Sequence, residues 1–252
     1  LYLRGRYFWN NQLSHEDFRK AVDYYTRAIA IDPQSALAYA GLAHCLVLMG
    51  AGEYGLTAPS DIMPKAKVAA LQALRIDEEN AEAHLSLAMV KFRFDWDWEG
   101  AEKEFKRAIE IDHGYSGAHC WYSIFLAVLQ RFDEAFTEAK MARHLSPLSP
   151  MMHFSLGLLL YASGQNEEAI VQLRQTIAMG GASFPLSHLV LGLTFGRKGR
   201  FEESIAEFKQ ALAIAGVRHL WSGFLGQADA LAGKTEDAVA ILHALRAALV
   251  HS

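Results

Sequence analysis

Histidines are the residues of this chain most suited to metal binding or acid–base chemistry, and the chain has eleven of them. Four recur at intervals of 34 or 35 residues: His84, His119, His153 and His188. Ligands of one zinc ion must converge on it with bonds of about 2 Å. Even spacing instead places one histidine on each of four successive units, about 8–10 Å apart if the units are packed helices. We therefore predict a structural role for these histidines and no metal site.

Other motifs that carry chemistry are incomplete in this sequence. Cys45 and Cys120 each lie in an apolar run, as free buried thiols of a reducing compartment do. Residues 233–235 read Gly-Lys-Thr, but Ala228 stands where a phosphate-binding loop needs its first glycine. The sequence contains no His-Glu-x-x-His, Cys-x-x-Cys or Gly-x-Ser-x-Gly motif. We predict that the chain is not an enzyme and holds no cofactor.

Composition and charge limit the classes of function. The chain is 52% hydrophobic with a net charge of −4, so it can fold throughout and lacks the basic field that attracts nucleic acid or anionic lipid. Its apolar runs are too short to span a bilayer, and no signal-like leader opens it. We expect a soluble, cytoplasmic segment that contacts neither membrane nor nucleic acid. Because it begins at Leu1 in residues that already read as helix, we expect a piece of a longer protein.

The elements that position these residues are copies of one amphipathic helical hairpin. Residues 21–32, 102–112 and 204–214 repeat nearly the same helix. A small residue opens the second helix of each hairpin: Ala21, Ala66, Ala101, Ala135, Ala169, Ser204 and Ala238. Another lies in the middle of each first helix: Gly5, Ala43, Ala88, Ser123, Gly157, Gly192 and Gly226. Since glycine inside a helix costs about 1 kcal/mol, these rows indicate where two helices pack closely.

This pattern resembles the tetratricopeptide repeat family. One complete unit matches at Leu191, Gly192, Phe195, Gly199, Ser204, Phe208 and Ala211. The resemblance implies an all-α fold, a right-handed superhelical solenoid of about seven helix–turn–helix repeats, and a single domain over residues 1–252. The repeats are expected near 1–34, 35–79, 80–114, 115–148, 149–183, 184–217 and 218–252. The last is the weakest match because Asp229 stands where an aromatic residue belongs.

Three segments are also similar to a narrower group, the C-terminal repeat arrays of bacterial winged-helix transcription regulators, adenylate cyclases and some serine/threonine kinases. They are residues 3–10, 38–44 and 95–98. This resemblance implies a regulatory docking arm of a larger bacterial signalling or transcription protein.

Two repeats depart from the common spacing, and the third has an unusual turn. Extra residues fall near 11–15 and in 51–64, where the longer insertion either covers a neighbouring helix or forms a wall of a binding groove. The turn of the third repeat reads Asp-Trp-Asp-Trp over residues 95–98. Because an indole buries a large apolar area, we expect both tryptophans to pack against the turn and not to contact a ligand.

The binding face follows from the resemblance, since first helices line the inner curve of such arrays at fixed offsets from the Leu of the Leu-Gly pair. Those offsets, with two neighbouring arginines, give this candidate site: Leu85, Met89, Phe92, Arg93, Ile124, Phe154, Leu158, Tyr161, Leu189, Leu193 and Arg197. The face lacks the Lys and Asn with which the family's chaperone-tail binders clamp a terminal carboxylate. Its apolar character favours an amphipathic helix or a hydrophobic peptide of a partner protein, with Arg93 and Arg197 available for an acidic group.

Three alternatives to peptide binding stay open. Superhelical curvature could bury the inner face, leaving nothing to bind. A small apolar ligand could occupy the same face. The predicted last helix, residues 235–250, carries five apolar residues on one side with no polar capping helix after it, so a homodimer through that end is the third.

Overall fold

The computed structural model describes residues 1–10, 15–51, 57–180, 184–216 and 219–250 of the chain. Within these ranges it contains fourteen α-helices, one π-helical turn and no strand. The α-helices are α1 (Tyr2–Asn10), α2 (His15–Ile31), α3 (Ala36–Met49), α4 (Pro59–Ile76), α5 (Ala81–Val90), α6 (Trp98–Ile111), α7 (Ser116–Val128), α8 (Phe132–Leu145), α9 (Pro150–Ala162), α10 (Asn166–Gly180), α11 (Pro185–Arg197), α12 (Phe201–Ala215), α13 (His219–Leu231) and α14 (Thr235–Val250). The π-helical turn, Lys91–Asp95, continues α5.

The helices form two compact units, a first unit of Leu1–Phe125 and a second unit of Leu126–Ser252. In the first unit α1 packs on α2, α3 on α4 and α5 on α6; in the second, α9 packs on α10, α11 on α12 and α13 on α14. Hairpins within a unit stack in chain order, because α2 contacts α3 and α4 contacts α5 in the first unit, and α8 contacts α9, α10 contacts α11 and α12 contacts α13 in the second. The predicted all-α fold of repeated helical hairpins is therefore confirmed. The superhelical hand and the single-domain boundary stay predictions.

Close packing inside each hairpin follows the rows of small residues. A Cβ added at Gly157 would lie 2.8 Å from the Leu173 side chain, and one at Gly192 would lie 2.7 Å from the Phe208 ring. Both distances are shorter than any normal carbon–carbon contact, so the large side chain of the second helix rests directly on the backbone of the first. The large-against-small packing inferred from the sequence is confirmed at these two positions.

The four recurring histidines connect each first helix to its surroundings. His84 Nδ1 lies 2.6 Å from a carboxylate oxygen of Glu104, and His188 Nδ1 lies 2.6 Å from one of Glu207. The Nε2 atoms of His84, His119 and His153 donate to the carbonyl oxygen six residues earlier, over 3.0, 3.2 and 2.8 Å. Each ring therefore ties its helix to the second helix of its hairpin, to the preceding turn, or to both, which confirms the predicted structural role.

Two expectations about irregular segments need correction. Of the expected loop 51–64, residues 59–64 are the first turns of α4, because Pro59 starts the helix and the Ile62 and Met63 side chains are buried below it. Residues 52–56 lie outside the described residues, as do 11–14 in the other insertion. At the third turn, Trp96 is 73% exposed and Trp98 37% exposed, so the expectation that both pack against the turn was wrong.

Candidate functional site

In the first unit, two of the residues predicted for the binding face belong to the core. Leu85 and Met89 are fully buried, because α5 is surrounded by α3, α4 and α6. They have no surface to offer a partner, so their assignment to a binding face is corrected. The other three predicted residues are half-buried. Of these, the Arg93 guanidinium lies 5.1 Å from the centroid of the Trp121 ring.

In the second unit, the predicted residues divide between covered and accessible positions. Phe154 and Leu189 are 4% and 7% exposed, and the Phe154 ring meets Phe184 edge-on at 5.2 Å. Leu158, Tyr161 and Leu193 are half-buried and Arg197 is exposed. The structure brings Tyr161, Leu193 and Arg197 together around one cleft.

This second-unit cleft is an open depression of about 250 Å³ between the end of α9 and helices α11, α12 and α13. Its lining is mostly aromatic and aliphatic, with a guanidinium and an amide: Tyr161, Gly192, Leu193, Gly196, Arg197, Phe201, Ser204, Phe208, Phe224, Gln227, Ala228 and Leu231. Four helices from three successive hairpins thus contribute to it. A cleft with this mixture favours an apolar group whose neighbour is polar.

The floor of the cleft depends on the glycines of α11. The Phe208 ring lies against Gly192 and stacks on Phe224, with 6.1 Å between the ring centroids. Ser204 Oγ donates a hydrogen bond of 2.7 Å to the carbonyl oxygen of Gly192, which fixes α12 on α11. Because Gly192 and Gly196 add no side chain, the aromatic floor remains open from the α11 side.

The rim of the cleft carries a positioned cation. The Arg197 guanidinium lies 3.9 Å from the centroid of the Tyr161 ring, and its Nη1 donates a 2.7 Å hydrogen bond to the Tyr161 carbonyl. No carboxylate lies within ion-pair distance of Arg197 among the residues that the structure describes. By contrast, the neighbouring Lys198 and Arg200 pair with Glu167 and Glu203. The Arg197 side chain is therefore held in place with N–H donors still available.

Behind the cleft, Asp229 is the buried carboxylate of α13. It is 1% exposed, and its Oδ1 has no hydrogen-bond partner among the described residues. Burial raises the pKa of this carboxyl group, and the charges of Lys209 and Lys234 counteract only part of that effect. A raised pKa marks some catalytic carboxyls, but Asp229 does not line the cleft and stands where the repeat pattern expects an aromatic residue. We therefore assign Asp229 to the core of the last hairpin and not to the cleft.

Several lining residues were missed by the sequence argument. Gln227 follows Leu225 by two positions, the same offset that selected Leu193, so extending the rule to the last hairpin would have found it. Phe201 and Phe208 lie on a second helix, which the rule for first helices ignores. Among the described residues, no three His, Cys, Asp or Glu side chains are close enough to hold a metal ion.

The comparison with protein families identifies part of the second unit. A family model described as tetratricopeptide repeat matches residues 154–219, which include the predicted unit around Gly192 and most of the cleft. The chain therefore contains tetratricopeptide repeats (TPRs) over these residues. No curated protein matches the chain.

Solved structures share the TPR fold at low sequence identity. PilW, a widely conserved type IV pilus biogenesis factor, has a TM-score of 0.65 at 19% identity over 84% of this chain and 95% of its own. A tetratricopeptide repeat protein from Parabacteroides merdae has a TM-score of 0.64 at 12% identity over 96% and 90%. The human IFIT1 dimer with m7Gppp-AAAA has a TM-score of 0.78 at 17% identity, and the alignment covers 91% of this chain but 54% of IFIT1. At these identities the likeness concerns the fold alone.

Two further predictions concern the cellular setting of the TPR chain. No helix among the described residues is long and apolar enough to cross a membrane. Cytoplasmic location and the absence of nucleic-acid binding stay predictions.

Proposed function

We propose that the second-unit cleft binds a peptide segment of a partner protein, with one bulky apolar side chain on the Phe208–Phe224 floor and a carboxylate at Arg197. The TPR fold generally serves as a protein–protein interaction scaffold. The observation that carries the proposal is an aromatic cleft beside a positioned guanidinium that has no carboxylate partner among the described residues. A charge-assisted hydrogen bond from Arg197 would then fix the orientation of the peptide.

The size of the cleft favours a side chain over a whole small molecule. Its volume of about 250 Å³ lies below the range of roughly 300–1,000 Å³ typical of pockets for drug-sized ligands. It therefore suits one or two residues of a longer chain that continues across the surface, and it disfavours the alternative of a small apolar ligand. An amphipathic helix meets this requirement, because it presents apolar residues on one face and acidic ones at their edge.

The wider role that we propose is a regulatory arm of a larger bacterial signalling or transcription protein. Its support is the sequence likeness of residues 3–10, 38–44 and 95–98 to the repeat arrays of such proteins. In that role, the peptide in the cleft would belong to the protein that the array recruits.

Self-association is a second candidate, because α14 leaves apolar side chains exposed. Val239 and Leu242, one helical turn apart, are 44% and 45% exposed. Light scattering over a range of concentrations tests this candidate. A molar mass that stays at the monomer value would reject it, and a dimer abolished by Leu242→Glu would support it.

The experiment for the peptide proposal is selection of binders from a phage-displayed peptide library, followed by calorimetry with the selected peptides. We expect peptides that combine a bulky apolar residue with Asp or Glu. Reversing the exposed cation with Arg197→Glu should weaken them at least about tenfold, the scale of 1.4 kcal/mol or more. Leu231→Glu, at the cleft edge, should have a similar effect.

The matched control is Leu220→Glu, on the same helix as Leu231. The two leucines are 59% and 57% exposed, but Leu220 does not line the cleft. It should therefore leave peptide affinity unchanged. Peptides without acidic residues, or affinities insensitive to both Arg197→Glu and Leu231→Glu, would remove the cleft as the binding site.

A further inference from the structure

An exposed pair of tryptophans lies in the first unit, in the turn between the π-helical end of α5 and the start of α6. We call residues 95–99 the tryptophan turn. The Trp96 side chain is 73% exposed and that of Trp98 37% exposed. Among the described residues, no aromatic ring and no cation contacts either indole. The large apolar side chain of Trp96 is thus presented to solvent, and that of Trp98 is partly so.

The backbone of Trp96 makes its exposure more unusual. In five hairpins, the turn after the first helix contains one residue with a left-handed backbone, and these residues recur every 34 or 35 positions. They are Trp96, Gln130, Gly164, Gly199 and Gly233, with φ of 58°, 59°, 82°, 72° and 80°. Glycine adopts this conformation without a steric penalty, whereas a residue with a bulky side chain adopts it only at a steric cost. Three of the five turns use glycine. The backbone conformation of Trp96 therefore destabilises the fold, and the small burial of its side chain offsets little of that loss of stability.

The turn is nevertheless firmly positioned. Lys67 Nζ on α4 donates a 2.6 Å hydrogen bond to Asp95, which ties the turn to the preceding hairpin. Asp97 Oδ1 accepts a 2.9 Å hydrogen bond from the Gly100 amide and caps the first turn of α6. The indole of Trp96 is thus held at a defined place on the surface of the first unit.

The charge around the indoles is negative. Asp97 and Glu99 flank Trp98 and are both exposed. Neither has a cation within ion-pair distance among the described residues. A cation placed on the face of Trp96 would gain both the attraction of the indole ring and that of these carboxylates. An acidic partner would be repelled, and a purely apolar one would cover the carboxylates without pairing them.

We propose that the tryptophan turn is a docking site for a basic segment of a partner protein, whose Arg or Lys side chain packs on Trp96 and faces Asp97 and Glu99. Contact with the partner would explain why Trp96, whose backbone conformation destabilises the fold, occupies this position. The tryptophan turn lies in the first unit and shares no residue with the second-unit cleft. Evidence against binding at one of the two sites therefore leaves the proposal for the other unaffected.

The test follows the indole of Trp96 directly by NMR. The chain has five tryptophans and therefore five indole N–H signals, and the signal missing from Trp96→Gly identifies Trp96. We expect this signal to move saturably when a hexa-arginine peptide is added and to stay in place with hexa-glutamate. The affinity for hexa-arginine should fall about two- to fivefold in Trp96→Gly, the scale of an exposed cation–π contact. Glu99→Gln should also weaken it.

Gln130→Gly is the matched control, because Gln130 has the same left-handed backbone and carries no ring. Both glycine variants should raise the folding equilibrium constant by about two- to fivefold, since relief of the strain exceeds the added chain entropy. Only Trp96→Gly should weaken hexa-arginine binding. An unmoved Trp96 signal, an equal response to hexa-glutamate, unchanged affinity in Trp96→Gly, or a loss of stability in that variant would each overturn the proposal. Movement of the signal with protein concentration alone would indicate a second copy as occupant, which also overturns it.

Discussion

Gly192→Ala measures how tightly the floor of the cleft is packed. On α11, an alanine at this position gains about 1 kcal/mol of helix propensity over glycine. Its Cβ, however, would lie 2.7, 2.8 and 3.2 Å from three carbons of the buried Phe208 ring. Forcing an extra methyl group into a packed core costs about 1–3 kcal/mol. The net expectation is a loss of stability of about 0–2 kcal/mol.

Gly223→Ala provides the comparison within the same unit. Gly223 lies inside α13, and a Cβ there would meet no atom within 4 Å. The stability of this variant should therefore rise by about 1 kcal/mol, the gain in helix propensity alone. The two substitutions are chemically identical, so the difference between them, about 1–3 kcal/mol, reports the contact with Phe208.

Urea unfolding followed by circular dichroism measures both variants against the parent, with a thermal midpoint as a second readout. About 1 kcal/mol corresponds to a shift of roughly 2–4 °C in a chain of this size. Peptides selected for the cleft should also bind Gly192→Ala more weakly, because the displaced ring moves into their space. If Gly192→Ala proves as stable as Gly223→Ala, the Phe208 ring does not rest on the α11 backbone and the description of the floor is wrong.

Three further predictions concern buried charges and a recurring histidine. Asp229→Asn should stabilise the chain at pH 7 by on the order of 1 kcal/mol. Because burial raises the pKa of Asp229, this gain should shrink as the pH falls toward 3.8, the ordinary pKa of an aspartate, and the parent carboxylate takes up a proton. Urea unfolding at pH 4 and pH 7 measures the difference. Burial also acts to raise the pKa of Glu82, but the hydrogen bonds and charges of His44 and Arg6 outweigh it and lower the pKa. Glu82→Gln should therefore cost about 1–3 kcal/mol at neutral pH, and a cost that persists undiminished when the pH falls below 4.5 would contradict this assignment. His84→Ala should lose about 1–3 kcal/mol through its two hydrogen bonds, measured by the same unfolding assay, and a neutral effect would contradict the structural role of the histidine.

The helical-hairpin fold was predictable from the sequence because its signals are local. A small residue that recurs every 34 or 35 positions from Ala66 onward, opposed by a large one on the partner helix, specifies the packing inside one hairpin without knowledge of its neighbours. The same register selected Tyr161 and Leu193, and with the neighbouring Arg197 the structure places them around one cleft. The histidines were assigned correctly for the same reason, since even spacing along a stack separates them.

Exposure was decided by tertiary structure alone. Met89 occupies the same offset as the accessible Leu158 and Leu193, but the helices around α5 cover it completely. Trp96 has the size and apolar character of a core residue, yet a left-handed turn directs it away from any neighbouring surface. The aromatic floor of the cleft joins Phe208 of one hairpin to Phe224 of the next. A repeat pattern defines what each hairpin contains, whereas the surface that remains open depends on how adjacent hairpins meet.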